Sequence, residues 1–314
     1  MSDGPGRSCP LSYRYDPAVL SRKSDFQAET LWIAGGLYGN RFALERLLEL
    51  YEAEAGDKAL VFNGDFHWFD VDPAEFRAVD DAVARRRATR GNVETELALP
   101  GADAGCGCGY PDWVGDAEVE RSNRIIERLR DTARSFPASL ERLARLPMHL
   151  VAEVGDERVA IVHGDAGSLA GWEFSQERLA SAEGRAAAAA SFAAANVRLF
   201  ASSHTCLPVL QSSPGAGVIA NNGAAGMPNF RGNPAGLATR ISVRPHAGAL
   251  YGVRATGLHV EAIALDYDQA AWRRVFLAQW PEGSPAHLSY YARIVDGPRY
   301  RLEQALRAEA AAAA

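Results

Sequence analysis

Four short polar clusters stand in a fixed order along this chain: Gly64-Asp65, Gly91-Asn92, His163-Gly164-Asp165 and Ser203-His204. Each follows a stretch that reads as a strand or its exit. These stretches are Ala59-Leu60-Val61-Phe62, Arg87-Ala88-Thr89-Arg90, Val159-Ala160-Ile161-Val162 and Val197-Arg198-Leu199-Phe200. The second is not apolar and carries the weakest strand signal. One carboxylate (Asp65), one amide oxygen (Asn92) and two imidazoles (His163, His204) at strand ends make a ligand set for a divalent cation. A cation so held polarises a phosphoryl or carbonyl oxygen and lowers the pKa of bound water toward ~7. Singly, each residue is an ordinary polar group at a strand end. Only the ordered set points to a metal.

The elements that must position these residues are legible in the spacing. Thr30–Ala34 is a short apolar strand, Gly35–Gly39 a glycine-rich turn, and Asn40 the cap of an amphipathic helix over Arg41–Glu54 with Leu44, Leu47, Leu48 and Tyr51 on one face. Lys58–Asn63 follows as a second strand, so the unit implies a right-handed crossover and a parallel pair. Helices are expected over Pro73–Arg87, Ala117–Ser135 and Pro137–Leu146, the last two as an insertion covering one sheet edge. From Met148 onward strands dominate: Met148–Val154, Arg158–Val162, Val197–Ala201, Leu207–Gln211, Gly217–Ala220, Ala249–Ala255 and Leu258–Leu265. Helices are expected at Glu173–Ser181, Arg185–Ala195, Gln269–Leu277 and Arg301–Ala311, with the alanine tail a fraying end. Two sheets packed face to face with helices outside fit this α/β mixture. The chain divides into an irregular leader (1–28), a central domain (29–267, with an insertion at 100–146) and a C-terminal helical segment (268–314).

Composition excludes several classes. The chain has 314 residues, 47% of them apolar, and a net charge of −6. A mildly acidic chain without a Lys/Arg block is not built for broad contact with nucleic acid. No apolar run reaches membrane-spanning length. Met1–Pro10 lacks the basic start and apolar stretch of a secretory signal. Four cysteines, Cys9, Cys106, Cys108 and Cys206, do not make the framework of a small secreted domain, so a reducing, cytoplasmic setting is the expectation.

The motif order resembles that of the calcineurin-like metallophosphoesterase superfamily: D-x-H, G-D-x-x-D or a relative, G-N-H-[DE], a lone His after a strand, and G-H-x-H. The corresponding segments are Gly36-Leu37-Tyr38-Gly39-Asn40, Gly64-Asp65-Phe66-His67, Gly91-Asn92-Val93-Glu94, His163-Gly164-Asp165 and Ser203-His204-Thr205-Cys206. Asn221-Asn222-Gly223-Ala224-Ala225-Gly226-Met227-Pro228 is similar to the family's N-P-G-S-x-G-x-P turn. The resemblance implies a four-layer αββα sandwich with a helical insertion, and a site of two metal ions bridged by the carboxylate that Asp65 matches. It also implies a divergent member. Asp65, Asn92, His163 and His204 retain one position, suited to Mn, Zn or Fe, with one ion per chain. The other loses its ligands: Gly36 replaces Asp, and Tyr38 and Cys206 each replace His. Val93 replaces the His that assists the leaving group.

Around this set, His67 is a candidate acid/base beside Asp65, weighed equally against a histidine packed among aromatics. Tyr38 is read as a phenol capping the lost position. Glu94, Cys206 and Arg231 are candidates for substrate or second-site roles. Gly105-Cys106-Gly107-Cys108-Gly109 reads as a glycine-rich loop with free thiols, a C-x-C metal or redox pair being the sharper alternative and a lid over the site another. Two functions stay open. One is a hydrolase of a small phosphate ester. The other is a scaffold that binds a phosphate-bearing ligand or a partner without turnover. Oligomeric state is open.

Overall fold

Alternation decides the architecture. In Thr30–Ala34, Leu31 and Ile33 belong to one apolar cluster and Trp32 and Ala34 to another, and all four are buried. A strand covered on both faces lies inside a layered structure. The computed structural model describes residues 4–7, 9–101, 104–213 and 215–308. Its strands are β1 (Phe26–Ala28), β2 (Thr30–Ala34), β3 (Lys58–Asn63), β4 (Arg87–Thr89), β5 (His149–Val154), β6 (Glu157–Val162), β7 (Leu199–Ser202), β8 (Val209–Ser213), β9 (Gly217–Asn221), β10 (Gly236–Ser242), β11 (Ala249–Ala255), β12 (Leu258–Leu265) and β13 (Leu306–Ala308). One sheet runs β1-β5-β6-β7-β9-β8-β13 and the other β11-β12-β10-β2-β3-β4. The β2, β3 and β4 strands are parallel, as are β6, β7 and β9.

The helices are α1 (Arg41–Ala53), α2 (Pro73–Val83), α3 (Asn92–Ala98), α4 (Asp116–Ala133), α5 (Pro137–Arg145), α6 (Gln176–Ala180), α7 (Ala182–Ala195), α8 (Gln269–Gln279), α9 (Pro285–Asp296) and α10 (Leu302–Ala305). Asn40 caps α1 as expected, its side chain accepting from Phe42 N and Ala43 N at 3.1 Å each. Leu31, Ile33 and Val61 meet Val159, Ile161 and Leu199 between the sheets. Trp32 and Phe62 pack outward against Leu44, Phe76 and Phe276 of the helices. Val162, Phe200 and Ile219 do the same against Leu179 and Phe192 on the far side. The result is the four-layer αββα sandwich.

Several sequence expectations are corrected. The leader is not wholly irregular: β1 pairs in parallel with β5. The helix expected over Arg301–Ala311 stops at Ala305, and Leu306–Ala308 pairs with β8. Leader and C-terminal segment thus supply the two edge strands of the seven-stranded sheet. The alanine tail lies outside the described residues. The insertion helices α4 and α5 join the helical layer, packing on α3, rather than covering a sheet edge. The central strand β10 went unread because Arg240 interrupts its apolar run. Its charge is neutralised in the core by Glu54 and Glu261. No described helix is long and apolar enough to cross a membrane.

Asparagines stitch the sheets together at the strand ends. Asn63 donates from its amide to Val162 O (2.7 Å) and accepts from Thr89 Oγ1 (2.9 Å), so β3, β4 and β6 end at one place. Asn222 donates to Gly35 O and Leu237 O, each at 3.0 Å, tying the end of β2 to β10.

Candidate metal centre

Asp65 leaves β3 with φ +52°, directly after Gly64 at φ +75°. A Cβ on Gly64 would stand 2.5 Å from His163 Nδ1, and one on Gly91 2.2 Å from Asp65 Oδ1. Both positions therefore require glycine. Glu94 holds this turn from below. Its carboxylate accepts from the backbone N–H of Asp65 (2.8 Å), Phe66 (3.0 Å), His67 (3.3 Å) and Gly91 (2.8 Å). Glu94 is thus a strut of the site rather than a group facing substrate.

Four ligand atoms converge. Asp65 Oδ2 and Asn92 Oδ1 each lie 3.3 Å from His163 Nε2, and His204 Nδ1 lies 3.2 Å from it. Ligands in a tetrahedron about a divalent ion are roughly 3.3–3.6 Å apart, given metal–ligand bonds near 2.0–2.2 Å. The outward atoms fix the inward ones. His163 Nδ1 donates to Asn63 O (2.8 Å), His204 Nε2 to Cys108 O (2.9 Å), and Asn92 Nδ2 to Cys106 O (2.9 Å). A bound cation would meet a lone pair on each inward atom, the orientation that protein carbonyls give metal-bound histidines; without a cation, a proton on His163 Nε2 faces Asp65. The N₂O₂ set fits Zn, Mn or Fe. Burial would lower His163 and raise Asp65, but their mutual attraction outweighs it, so His163 shifts up and Asp65 down. Burial, with the His163 charge beside it, pushes His204 down to about 4, leaving it neutral and ready to ligate.

Gly36 and Tyr38, expected at a second and degraded position, lie against one another. Gly36 has φ +65°, and a Cβ there would meet Tyr38 Cε2, Cζ and the hydroxyl at 2.9 Å each. The Tyr38 ring thus lies where an aspartate at 36 would project. Its hydroxyl lies 2.8 Å from Cys206 Sγ. Burial raises the phenol well above its ordinary pKa, so it stays neutral. Arg293 of α9, which the sequence reading missed, holds Cys206 by donating to its carbonyl at 2.7 Å. Among the described residues, the group whose ligand atoms lie within 4.8 Å of one another comprises Asp65, His163 and His204, without Cys206.

Two candidates are not brought to the centre. The His67 ring is fully buried and stacks on Phe76 with centroids 4.1 Å apart. It faces Asp70 at 2.6 Å and Asp80 at 3.4 Å. Burial would lower its pKa, yet the two carboxylates push it up to about 10. This imidazolium ties the loop after β3 to α2 and offers no free nitrogen to a substrate. Arg231 is exposed, and its backbone N–H pairs with Tyr300 O.

The glycine-rich C-x-C loop, by contrast, closes over the site. Cys106 and Cys108 are joined as a disulfide, which corrects the reading of free thiols. Trp172 donates from Nε1 to Cys108 O (3.1 Å) and sets its ring edge-on to His204. The leader braces the loop: Gly6 N–H donates to Ala104 O and Tyr110 N–H to Gly6 O, each at 2.9 Å, and Tyr13 donates to Glu96 at 2.6 Å. Asp65, Asn92 and His204 form the floor of a cavity of about 40 Å³, walled by Trp68, Tyr110, Trp172 and Tyr290. Only the folded chain brings these segments together, although the Gly-Cys-Gly-Cys-Gly spacing was a visible signal.

No protein-family description and no curated protein matches the sequence. Solved structures do. A hypothetical protein from Pyrococcus horikoshii aligns with TM-score 0.57 and 16% identity over 86% of this chain and 99% of its own. A metallophosphoesterase from Sphaerobacter thermophilus aligns with TM-score 0.53 and 20% identity over 86% of this chain and 100% of its own. Two sheets flanked by helices and the likeness in three dimensions agree: the chain has the metallophosphoesterase fold.

Proposed function

We propose that this protein is a divergent metal-dependent phosphoesterase working with one cation, held by Asp65, Asn92, His163 and His204. One observation carries the reading: the inward atoms of Asp65, Asn92 and His204 all lie within 3.3 Å of His163 Nε2, while the outward nitrogens of Asn92, His163 and His204 each donate to a backbone carbonyl. A divalent ion there supplies Lewis acidity toward a phosphoryl oxygen. Glu94 keeps the Asp65 turn fixed while charge develops. Trp172 and the C-x-C loop limit water on the His204 side. The pocket lining contains no lysine or arginine. A dication with one aspartate leaves a single net positive charge, which matches a monoanionic phosphodiester better than a phosphomonoester dianion. The aromatic walls favour an apolar or aromatic substituent on that diester.

The test begins with metal content by element on protein never exposed to chelator. Hydrolysis of bis(p-nitrophenyl) phosphate is then compared with that of p-nitrophenyl phosphate. Expected are one cation per chain, preference for the diester, and loss of both metal and turnover in Asp65→Ala. Absence of any bound Mn, Zn or Fe after soaking would sink the reading.

The ring of Tyr38 in the second position and Val93 in place of histidine favour a second reading, a scaffold that binds a phosphate diester without cleaving it. Calorimetric binding of the diester with no product after prolonged incubation would support that reading against the first.

A further inference from the structure

The Cys106–Cys108 pair has no part in phosphoester chemistry, yet it sits against the metal ligands. Cys106 O accepts from Asn92 and Cys108 O from His204, so two of the four ligands are oriented by the backbone of this one turn. Cys108 Sγ also lies 3.5 Å from Asn92 Nδ2, and Cys108 lines the cavity. The turn has a backbone that only glycine adopts easily: Gly105, Gly107 and Gly109 have φ of +59°, +68° and +58°. A Cβ on Gly107 would stand 2.5 Å from the Tyr13 hydroxyl. Asn123 and Arg130 pin its first half, accepting from Cys106 N–H and donating to Gly105 O. The second half, from Gly107 to Gly109, is held by the Gly107 N–H bond to Ala104 O, by the bonds that Cys108 O accepts from Trp172 and His204, and by the disulfide.

We propose that Cys106–Cys108 is a redox modification site that sets how firmly the centre holds its cation. Resting on the one-cation reading above, it assigns the loop a role of its own. The closed disulfide clamps the turn so that both carbonyls face Asn92 and His204. Opening it frees the Gly107–Gly109 backbone and lets the His204 ring lose its fixed orientation. The exchange partner is a small-molecule thiol or disulfide. Closing removes one hydrogen from each cysteine thiol and forms their S–S bond. The partner's S–S bond breaks, and its two sulfurs take up those two protons and two electrons as thiols. Cys108, which lines the cavity and is 8% exposed where Cys106 is fully buried, is the sulfur the partner attacks.

The experiment titrates full-length protein with Co²⁺, read by its visible absorption. One sample is oxidised with glutathione disulfide. The other is reduced with dithiothreitol and desalted without air. Alkylation and mass measurement count the thiols in each. The oxidised form is expected to show two fewer thiols and to bind Co²⁺ at least about ten-fold more tightly, the scale seen when a metal-bound histidine loses its orienting partner. Cys106→Ala/Cys108→Ala protein is expected to bind at the weaker affinity and to ignore the reductant. Equal affinities in the two wild-type forms would overturn the proposal while leaving the cation site standing. Tighter binding on reduction, with a thiolate-to-cobalt charge-transfer band, would overturn it in favour of Cys108 as a ligand. A double variant still responsive to reductant would also overturn it. Failure of Co²⁺ to bind either form would remove the one-cation reading and this proposal together.

Discussion

An aspartate at position 36 and the ring of Tyr38 exclude one another, because a Cβ on Gly36 would already lie 2.9 Å from Tyr38 Cε2, Cζ and its hydroxyl. Gly36→Asp alone is therefore expected to be destabilised by collision and by its left-handed backbone, the latter costing about 1–2 kcal/mol. Combined with Tyr38→His and Cys206→His, the same change removes the ring that blocks it. The triple variant is expected to raise bound metal from one toward two ions per chain, measured by elemental analysis. A stoichiometry fixed at one would show that the second position is closed by more than Tyr38.

Removing a ligand has a different signature from unfolding. In His204→Ala, Cys108 O loses one of its two donors, keeping Trp172, and the inward set falls to three. Metal affinity is expected to fall by more than the about 10–100-fold typical of losing an orienting partner. Far-ultraviolet circular dichroism is expected to stay unchanged, since His204 lies in the loop after β7.

Glu94 offers a sharper test of how the Asp65 turn is held. Glutamine at 94 keeps one acceptor oxygen where four backbone N–H groups now share two. The stranded donors are expected to cost about 1–3 kcal/mol in urea unfolding, with a parallel loss of metal affinity. Unchanged stability would mean that water replaces the carboxylate there.

Acid sensitivity is expected to run through the β10 cluster. Arg240 binds Glu54 at 2.7 and 3.0 Å and Glu261 at 2.7 Å. Hydrogen bonds from Arg240 hold the Glu54 carboxyl below its ordinary pKa. A carboxyl whose folded pKa lies below its unfolded value contributes stability above the unfolded value, about 4.3. That contribution is lost as pH falls through the folded value. Glu54→Gln is expected to flatten the fall in melting temperature below about pH 5 relative to wild type. Arg240→Ala, which leaves two carboxylates facing each other, is expected to cost about 3–5 kcal/mol.

The parts legible in the sequence were those fixed by local chemistry. Asn40 capped its helix, the apolar strands β2, β3 and β6 formed, and Asp65, Asn92, His163 and His204 lie just beyond strands, because each signal lay within a few residues. What escaped depended on distant partners. Nothing near Arg240 in the sequence signals that Glu54 and Glu261 neutralise it. His67 reads equally as an acid/base and as a packed histidine until Asp70, Asp80 and Phe76 enclose it. The C-x-C loop reads as a glycine-rich loop with free thiols until its carbonyls reach Asn92 and His204. Arg293, near the end of the chain, carries no local signal of its hold on Cys206.

The bracing of the C-x-C loop by the leader has a kinetic consequence. Because Gly6 pairs with Ala104 and Tyr110, the turn behind the imidazoles takes shape only after the first residues have travelled back across the molecule. Such long closures form later than neighbouring helical contacts. Refolding chains are therefore expected to recover their helices before they can capture an ion. A bulky fusion ahead of Gly4 would be felt at the bottom of the cleft rather than at the periphery.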